Sequence, residues 1–255
     1  MKIAVAGKGG AGKTSIAGTL ARLLARDGLH VLAIDADSGP NLALTLGLTP
    51  EQAAVLPTLP EDVMRVSDGR LRPTRPLPGV RDGCAFSTPD GVELIVMARP
   101  EQAGTGCLSH LHGLVRVLVR DEPADGAHAC VLDLDPSPEG FSRGIAAHVD
   151  LMLIVVEAYP ASLHTARRMA ALAADLALPR IALVGNRIRA ATDRDMLGAL
   201  AGELGLDLLA LVPFDDVFAR AERIPAAPLD VDPRAPAMAA IAELCSRICG
   251  PLAVR

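Results

Sequence analysis

The amino-acid sequence predicts an α/β fold, in which about seven mostly parallel strands form one sheet with helices on both faces. Three observations support this prediction. Short apolar runs alternate along the chain with segments of helical periodicity, as in successive βαβ units. Half of the 255 residues are apolar but only 2% are aromatic, so the core consists mainly of Ala, Leu, Val and Ile, which suits helices on a parallel sheet. The first apolar run leads directly into a glycine-rich loop.

Each element is expected where an apolar pattern is bounded by turn residues. Short apolar runs predict strands at residues 2–6, 30–35, 92–98, 129–134, 150–156, 180–184 and 206–212. Apolar residues three or four positions apart predict helices at residues 14–26, 108–119, 161–176, 193–204 and 235–249. A further helix is expected to start near Pro40 and to end at Gly47.

Residues 50–90 interrupt this alternation. Six prolines follow Pro50 in this segment, which predicts irregular backbone with at most short helices and hairpins. We interpret it as an insertion within a single domain that covers residues 1–255.

The composition argues against several kinds of partner. A formal net charge of −5, with one Tyr, four Phe and no Trp, gives no general attraction to nucleic-acid phosphates and few rings for stacking bases, so no nucleic acid is expected. Five cysteines are an odd number spread over a long chain, which indicates a reducing compartment rather than a disulfide framework. No stretch approaches the 18 consecutive apolar residues of a transmembrane helix. We therefore expect a cytoplasmic protein without a membrane partner.

The loop at residues 7–15 matches two motifs, G-x-G-x-x-G of dinucleotide sites and G-x-x-x-x-G-K-[ST] of phosphate-binding P-loops. Asp35, after the second apolar run, even resembles the acid of a NAD site. Lys13 and Thr14 favour the P-loop, because the ammonium neutralises the β- and γ-phosphates and the hydroxyl ligates Mg²⁺, and a dinucleotide site needs neither. The expected nucleotide-binding residues of the loop are Gly9, Gly10, Ala11, Gly12, Lys13, Thr14 and Ser15.

Lysine is rare in this chain. Of the 25 basic residues, 22 are Arg, and Lys occurs only at positions 2, 8 and 13. An ammonium is a compact point charge that fits a backbone cradle, whereas the planar guanidinium is too wide for it. The distribution therefore indicates that the loop requires both Lys8 and Lys13.

With lysine as its second residue, the loop Gly-Lys-Gly-Gly-x-Gly-Lys-Thr resembles that of the deviant P-loop ATPases, the group of MinD, ParA, the nitrogenase iron protein and the arsenite ATPase. The resemblance implies an enzyme that hydrolyses Mg·ATP to ADP and phosphate and forms an ATP-dependent homodimer. It also implies that Lys8 acts in trans. Its ammonium would reach the partner's nucleotide and neutralise charge on the transferring phosphoryl group, as an arginine finger does.

The same resemblance assigns further residues. Asp37 is expected to orient the attacking water or a Mg²⁺-bound water, which makes Lys8, Lys13 and Asp37 the expected catalytic residues. Asp133 is expected to support Mg²⁺ together with Thr14, directly or through water. Taken singly, either aspartate is also explained as an acid at a strand end. The residues expected at the adenine base are Asn186, Pro213, Phe214 and Asp215.

Within this group the chain is most similar to the nickel-insertion accessory ATPases of carbon monoxide dehydrogenase. The matching stretches are A-I-D-A-D at 33–37, G-T-G-C at 104–107, F-S-R-G at 141–144 and V-V-E at 155–157. That family carries a Cys-x-Cys pair that holds one metal per dimer, whereas here Leu108 and Ser109 follow Cys107, so one thiolate is missing. Cys107 and His110, doubled by a two-fold axis, would form an S₂N₂ site for Ni²⁺ or Zn²⁺. The alternative is that Cys107 binds no metal.

Two further features depart from simple patterns. Ser137 stands where the family has a switch glycine, and its flanking prolines predict a stiffer loop in which ATP sensing is slower or differently coupled. Asp135 in that loop is either a contact to Mg²⁺-bound water or a solvated acid. Cys245 and Cys249 share a face of the last helix and are either buried as small apolar residues or metal ligands with a second copy.

Two main functions follow. The first is a dimerising ATPase that acts as an accessory factor for a metalloenzyme client, inserting a metal or metallocluster. The alternative is a positioning or partner-recruiting switch of the MinD and ParA type. A scaffold that binds ATP but hydrolyses it poorly is a third interpretation, supported by Ser137 alone.

Overall fold

The computed structural model describes residues 1–67, 70–99, 108–123, 125–137, 141 and 144–249. Within these residues, eight strands form one sheet in the order β10-β9-β8-β1-β7-β2-β6-β5, parallel throughout except for the edge strand β5, which is antiparallel to β6. Strands β3 and β4 form a separate antiparallel pair. The strands are β1 (Lys2–Gly7), β2 (His30–Ala36), β3 (Met64–Ser67), β4 (Arg70–Pro73), β5 (Phe86–Ser87), β6 (Glu93–Val96), β7 (His128–Leu134), β8 (Leu151–Val156), β9 (Ile181–Ile188) and β10 (Asp207–Pro213).

The described helices are α1 (Lys13–Arg26), α2 (Leu42–Thr45), α3 (Pro50–Ala54), α4 (Leu77–Cys84), α5 (Ser109–Asp121), α6 (Pro160–Asp175), α7 (Ala191–Leu204), α8 (Val217–Arg223), α9 (Pro228–Val231) and α10 (Pro236–Cys249), with a short 3₁₀ helix at Glu61–Val63. Thr49 and Gln52 form a reciprocal capping box that starts α3. Gly205, in the left-handed conformation, ends α7. No helix in these described ranges is long and apolar enough to cross a lipid bilayer.

Helices cover both faces of the sheet, as predicted. Successive residues of β1 point to opposite faces, and all of them are buried. Ile3 and Val5 pack in a cluster with residues of α1, α2 and α10. Ala4 and Ala6 pack in a second cluster with residues of α5, α6 and α7. The residues of β1 thus lie at the centre of a three-layered core, and the loop that follows Gly7 is held by a fully buried strand.

The prediction of a mostly parallel sheet is confirmed, with eight described strands rather than the seven expected. The additional strand β5 has two residues, which is too short to show a period in the sequence. Strand β9 was expected to end at residue 184 and instead continues to Ile188, so Asn186 lies inside it. Helices α8 and α9 were not predicted, because segments of seven and four residues carry little periodicity. Residues 50–90 contain short helices and the β3–β4 hairpin, as expected.

A buried arginine ties the P-loop helix to two distant segments. The side chain of Arg22 on α1 is only 2% exposed. Its terminal nitrogens donate to both carboxylate oxygens of Asp230 on α9 at 2.8 and 2.7 Å, and its Nε donates to Asp90. Arg26 donates to the other oxygen of Asp90 at 3.1 Å. Burial alone would raise the pKa of Asp90, but the hydrogen bonds and charges of both arginines outweigh it and lower that pKa.

This network predicts an acid-sensitive contribution to stability. A carboxyl group with a lowered folded-state pKa stabilises the fold above its unfolded pKa of about 3.9, and that stabilisation is lost as pH falls through the folded value. Asp90→Asn should therefore lower the free energy of unfolding by about 1–3 kcal/mol at pH 7 and make its decline below about pH 5 shallower.

Urea unfolding followed between pH 3 and 7 measures both effects. The matched control is Asp62→Asn, because the Asp62–Arg75 pair is exposed and its loss should change stability by less than about 0.5 kcal/mol. An acid decline of unchanged slope in Asp90→Asn would contradict the assignment.

Candidate functional site

The carboxyl ends of three neighbouring strands bring the predicted site together. Strand β1 lies beside β7, with Val5 paired to Asp133, and β7 lies beside β2, with Asp133 paired to Asp35. Because parallel strands end at the same edge of a sheet, the glycine loop after β1 faces the acids at the ends of β2 and β7. Val5 and Asp133, which are far apart in the sequence, thus meet through strand register alone.

The glycine loop has the shape of an anion cradle. Gly10 and Gly12 have φ angles of 79° and 93°, which only glycine adopts without strain. A Cβ on Gly12 would lie 2.2 Å from Nδ2 of Asn186, so this position also excludes any larger residue by contact. Helix α1 begins at Lys13, and its first backbone N–H groups and positive dipole end face the loop. This arrangement suits a bound phosphate group.

The two lysines of the loop differ in their surroundings. Lys13 is 6% exposed at the start of α1. Lys8 is partly exposed, and its Nζ lies 3.5 Å from the carbonyl oxygen of Gly9 and 5.8 Å from the centre of the Tyr159 ring. Lys8 forms no ion pair with any residue that the structure describes. The loop therefore directs one ammonium inward and leaves the other at the surface.

Asp35 and Asp133 are two carboxyl groups buried side by side, each 1% exposed. Asp35 accepts backbone hydrogen bonds from Asp37 at 3.2 Å and from Leu42 at 2.8 Å. Burial nevertheless raises the pKa of Asp35 to about 6. The pKa of Asp133 rises to about 8, through burial and the neighbouring charge of Asp35, against the opposing effects of a Thr14 hydrogen bond and the Lys13 charge.

Asp133 has room for a further polar partner. Its Oδ1 atom is buried without a hydrogen-bond partner in the described part of the chain. The Oδ1 of Asp133 and the hydroxyl of Thr14 together suit a hydrated Mg²⁺ ion. This cation binds carboxylate and hydroxyl oxygens and keeps several of its waters. The residues present therefore fit the expected metal.

Two acids occupy the loops that follow these strands. Asp37 is partly exposed after β2, and its Oδ1 accepts the N–H of Gly39 at 2.8 Å. Asp135 follows β7, and its Oδ1 accepts the N–H of Ser137 at 2.7 Å. In each case the carboxylate holds the start of its own loop in a turn and keeps its second oxygen available. Residues 138–140, which include the second flanking proline, lie outside the described residues.

Asn186 connects the loop to the place expected for the base. It is 5% exposed; its Nδ2 donates to the carbonyl oxygen of Ala11 at 2.7 Å and its Oδ1 accepts the N–H of Arg187 at 2.9 Å. A side-chain amide has two donors and two acceptor positions, so one of each remains for an adenine edge. Arg187 has a φ of 56°, unusual for a residue other than glycine, and the sequence contains no signal for it.

The turn Pro213-Phe214-Asp215 is built differently from the expectation. Pro213 ends β10, and Phe214 is 47% exposed, with the guanidinium carbon of Arg189 3.5 Å from its ring centre. The oxygens of Asp215 accept the N–H groups of Val217 at 3.0 Å and of Ala237 at 3.1 Å. Asp215 thus holds the starts of α8 and α10 in place, a structural role that sequence reasoning missed.

The predicted transition-metal residues are only partly described. Cys107 lies outside the described residues. His110 is in the first turn of α5, and its Nε2 is buried without a hydrogen-bond partner in the described part of the chain. Among the described residues there is no group of three or more His, Cys, Asp or Glu side chains that could hold a metal ion.

These features define a P-loop nucleotide-binding protein. A family model described as the CobQ/CobB/MinD/ParA nucleotide binding domain matches residues 2–227, and the chain belongs to that family. It is an ATPase of the P-loop class, and the predicted membership of the MinD and ParA group is confirmed.

Named relatives and solved structures agree with this family membership. The chain is 35% identical to the carbon monoxide dehydrogenase accessory protein CooC of Rhodospirillum rubrum over 263 residues, covering 98% of each chain. It is 33% identical to an uncharacterized ATP-binding protein of Methanocaldococcus jannaschii over 245 residues, covering 92% of this chain and 93% of that protein. Among solved structures, the cell division ATPase MinD of Pyrococcus furiosus matches with a TM-score of 0.73 at 20% identity, covering 97% of this chain and 98% of that one. MinD of Pyrococcus horikoshii, solved with Mg-ADP, matches with a TM-score of 0.72 at 19% identity, covering 97% and 96%.

The buried acid pair predicts that Asp133→Asn stabilises the nucleotide-free protein. A carboxyl group with a raised folded-state pKa contributes stability that is present below its unfolded pKa and is lost as pH rises through the folded value, here between about pH 4 and about pH 8. The neutral amide removes that loss. We expect the variant to be more stable than the wild type by about 1–3 kcal/mol at pH 8 and to match it near pH 4.

Urea unfolding without nucleotide or Mg²⁺ measures this difference. Asp193→Asn is the control. Hydrogen bonds from the N–H groups of Arg189 and Ala190 lower the pKa of Asp193 rather than raising it. Replacing this carboxylate should therefore not stabilise the fold. Equal pH profiles for Asp133→Asn and the wild type would refute the interpretation.

Proposed function

We propose that this protein is a Mg·ATP-dependent ATPase that closes into a two-fold dimer on ATP and serves as an accessory factor for a metalloenzyme. The observation that carries the proposal is the contrast between its two loop lysines, Lys13 buried in the site and Lys8 partly exposed without an ion pair among the described residues. We also propose that residues 1–255 form one ATPase domain, with 50–90 as an insertion.

The reaction we infer is attack of water on the γ-phosphorus of ATP, which breaks the bond to the β–γ bridging oxygen and releases ADP and phosphate. The loop N–H groups of residues 9–15 and the ammonium of Lys13 would hold the phosphates. Thr14, Asp37 and Asp133 would hold Mg²⁺ directly or through water. When bound, Mg²⁺ neutralises charge on the phosphate oxygens and orients them.

Asp37 is the residue we assign to the attacking water, because it leaves one carboxylate oxygen available at the surface of the site. Lys8 would supply the last charge from the partner subunit. An ammonium that meets the phosphoryl group only in the closed dimer couples hydrolysis to association, since an isolated subunit lacks that stabilisation.

Base recognition is assigned to Asn186, whose amide keeps one donor and one acceptor free, and to the exposed face of Pro213 and Phe214. Asp215 was expected to contact the base. Its two hydrogen bonds to backbone N–H groups support an indirect contribution instead, through the position of the turn.

The client is inferred from similarity along the whole chain to the accessory protein of carbon monoxide dehydrogenase. The likeness to MinD structures, at about 20% identity, supports the fold alone. We therefore propose maturation of a metalloenzyme, with Ni²⁺ or Zn²⁺ as the cargo, in preference to positioning on DNA or a membrane.

A subunit-mixing experiment tests the trans lysine. Lys8→Ala and Asp37→Ala should each bind ATP through an intact P-loop and each lose at least about 100-fold in turnover. In a mixed dimer, the Lys8→Ala subunit keeps Asp37 and receives Lys8 from its partner. An equimolar mixture should recover about a quarter of the wild-type rate, since half of the dimers are mixed and each has one complete site.

If Lys8 acts within its own subunit, every site in the mixture lacks one residue, and the mixture stays as inactive as either variant alone. That result would refute the trans assignment while leaving the P-loop assignment intact. Native mass spectrometry with a non-hydrolysable ATP analogue, with one variant isotopically labelled, measures independently whether the mixed dimers form.

Equilibrium dialysis with Ni²⁺ and Zn²⁺ tests the cargo site. Within the described residues, the buried Nε2 of His110 has no hydrogen-bond partner, which supports a role as ligand. We expect about one ion per dimer in the wild type and none in Cys107→Ser or His110→Ala. His164→Ala, at an exposed position on α6, should bind as the wild type does. Metal binding that survives in both ligand variants would remove the proposed site.

A further inference from the structure

Two thiols lie one turn apart at the end of the last described helix. Cys245 and Cys249 are at positions i and i+4 of α10, so their side chains share one face of the helix. Cys245 is 3% exposed within the core, whereas Cys249 is partly exposed at the final residue of α10. Helix α10 packs against α1 and β10, far along the chain from the glycine loop.

The two thiols differ in acidity in the way expected of an attacking thiol and a resolving thiol. The Cys245 thiol donates a hydrogen bond to Cys249, which lowers the pKa of Cys249 to about 7 against the opposing effects of burial and of the Asp27 charge. The same hydrogen bond and burial raise the pKa of Cys245. The partly exposed Cys249 is therefore the thiol that loses its proton more readily, while its buried neighbour keeps its own.

The other described cysteines lack this arrangement. Burial raises the pKa of Cys130 to about 12 and also raises that of Cys84. The Cys84 thiol lies 3.6 Å from the carbonyl oxygen of Thr58, to which it donates. Buried thiols of this kind are inert, so among the described cysteines only Cys249 combines access with a neighbouring thiol.

We propose that Cys245 and Cys249 form a redox-active dithiol that reacts with low-molecular-weight disulfides of the glutathione type. The Cβ atoms of residues four apart on a helix lie about 5–6 Å apart, whereas those of a disulfide lie about 3.5–4.5 Å apart, so the end of the helix must tighten to form the bridge. Because Cys249 ends α10, closing the bridge adjusts only the last helical turn. The site is independent of the ATPase function proposed above.

The chemistry balances in two exchange steps. The Cys249 thiolate attacks one sulfur of glutathione disulfide, whose S–S bond breaks and releases one glutathione thiolate. Cys245 then gives up its proton and attacks the Cys249 sulfur, which releases the second glutathione and leaves the Cys245–Cys249 disulfide. The two cysteines lose two electrons, and one glutathione disulfide becomes two glutathione molecules.

Mass spectrometry of the full-length protein tests the proposal, with Cys107→Ser as the background so that this thiol cannot contribute. After glutathione disulfide at pH 7, the background protein should lose the mass of two hydrogen atoms, and peptide mapping should join Cys245 to Cys249. Cys245→Ala should stop at one glutathione adduct on Cys249, because the resolving thiol is missing. The adduct should form more slowly, because the hydrogen bond that lowers the Cys249 pKa is also lost. Cys249→Ala should not react.

Several outcomes would overturn the assignment. They are an adduct on Cys249 that persists in the background protein, no adduct in Cys245→Ala, or a bridge that involves any other cysteine. The pH dependence of Cys249 alkylation is measured in the Cys107→Ser background protein. This test does not require either alanine variant to fold. A midpoint near 8.5, the value of an ordinary thiol, would contradict it.

Discussion

The burial of two carboxyl groups side by side, Asp35 on β2 and Asp133 on β7, is the constraint on which the nucleotide site depends. Strand register places them next to each other in a region without solvent, where two negative charges repel strongly. Ionising these two buried carboxyl groups without a nearby cation is unfavourable, so the pKa values of Asp35 and Asp133 are both raised. Strongly shifted pKa values at neighbouring buried acids are typical of a functional site that binds a ligand.

A second consequence of the sheet order is that Asn186 on β9 is joined directly to the glycine loop. Asn186 on β9 donates to the carbonyl oxygen of Ala11, and its Nδ2 atom occupies the space that a side chain at Gly12 would need. The glycine loop therefore cannot shift here without moving this amide. If Asn186 binds the base as proposed, this one buried hydrogen bond would couple base binding to the phosphate loop.

Much of this could be predicted from the sequence, because strands and the glycine loop carry strong local signals. Apolar runs located the strands that surround β1, and Lys13 with Thr14 separated a P-loop from a dinucleotide site. Long-range side-chain contacts carry no such signal. Arg22 looks like any other basic residue in a helical pattern, yet it is buried and paired to Asp90 and Asp230, which are 68 and 208 residues away.

The same limit applies to two contacts at the edges of the site that the sequence does not show. Asp215 is recognised in the sequence by the motif around it, but its hydrogen bonds to Val217 and Ala237 depend on how α8 and α10 begin. The left-handed backbone at Arg187, whose N–H donates to the Asn186 side chain, has no signal in the local sequence either. Both are properties of the assembled fold rather than of a segment.

The charge balance of one subunit explains why such a site would need both a divalent ion and a second copy. Asp35, Asp37 and Asp133 contribute three carboxyl groups that influence one another electrostatically, and within the described site the buried ammonium of Lys13 is the one cation acting on Asp133. A triphosphate adds further negative charge, so binding requires cations that the single subunit does not hold. In the proposed dimer, Mg²⁺ would supply two charges near the acids, and Lys8 of the partner subunit would supply another at the γ-phosphate. Because arginine cannot replace the compact ammonium in this cradle, the retention of lysine at position 8 in a chain that otherwise uses arginine follows from the same electrostatic need.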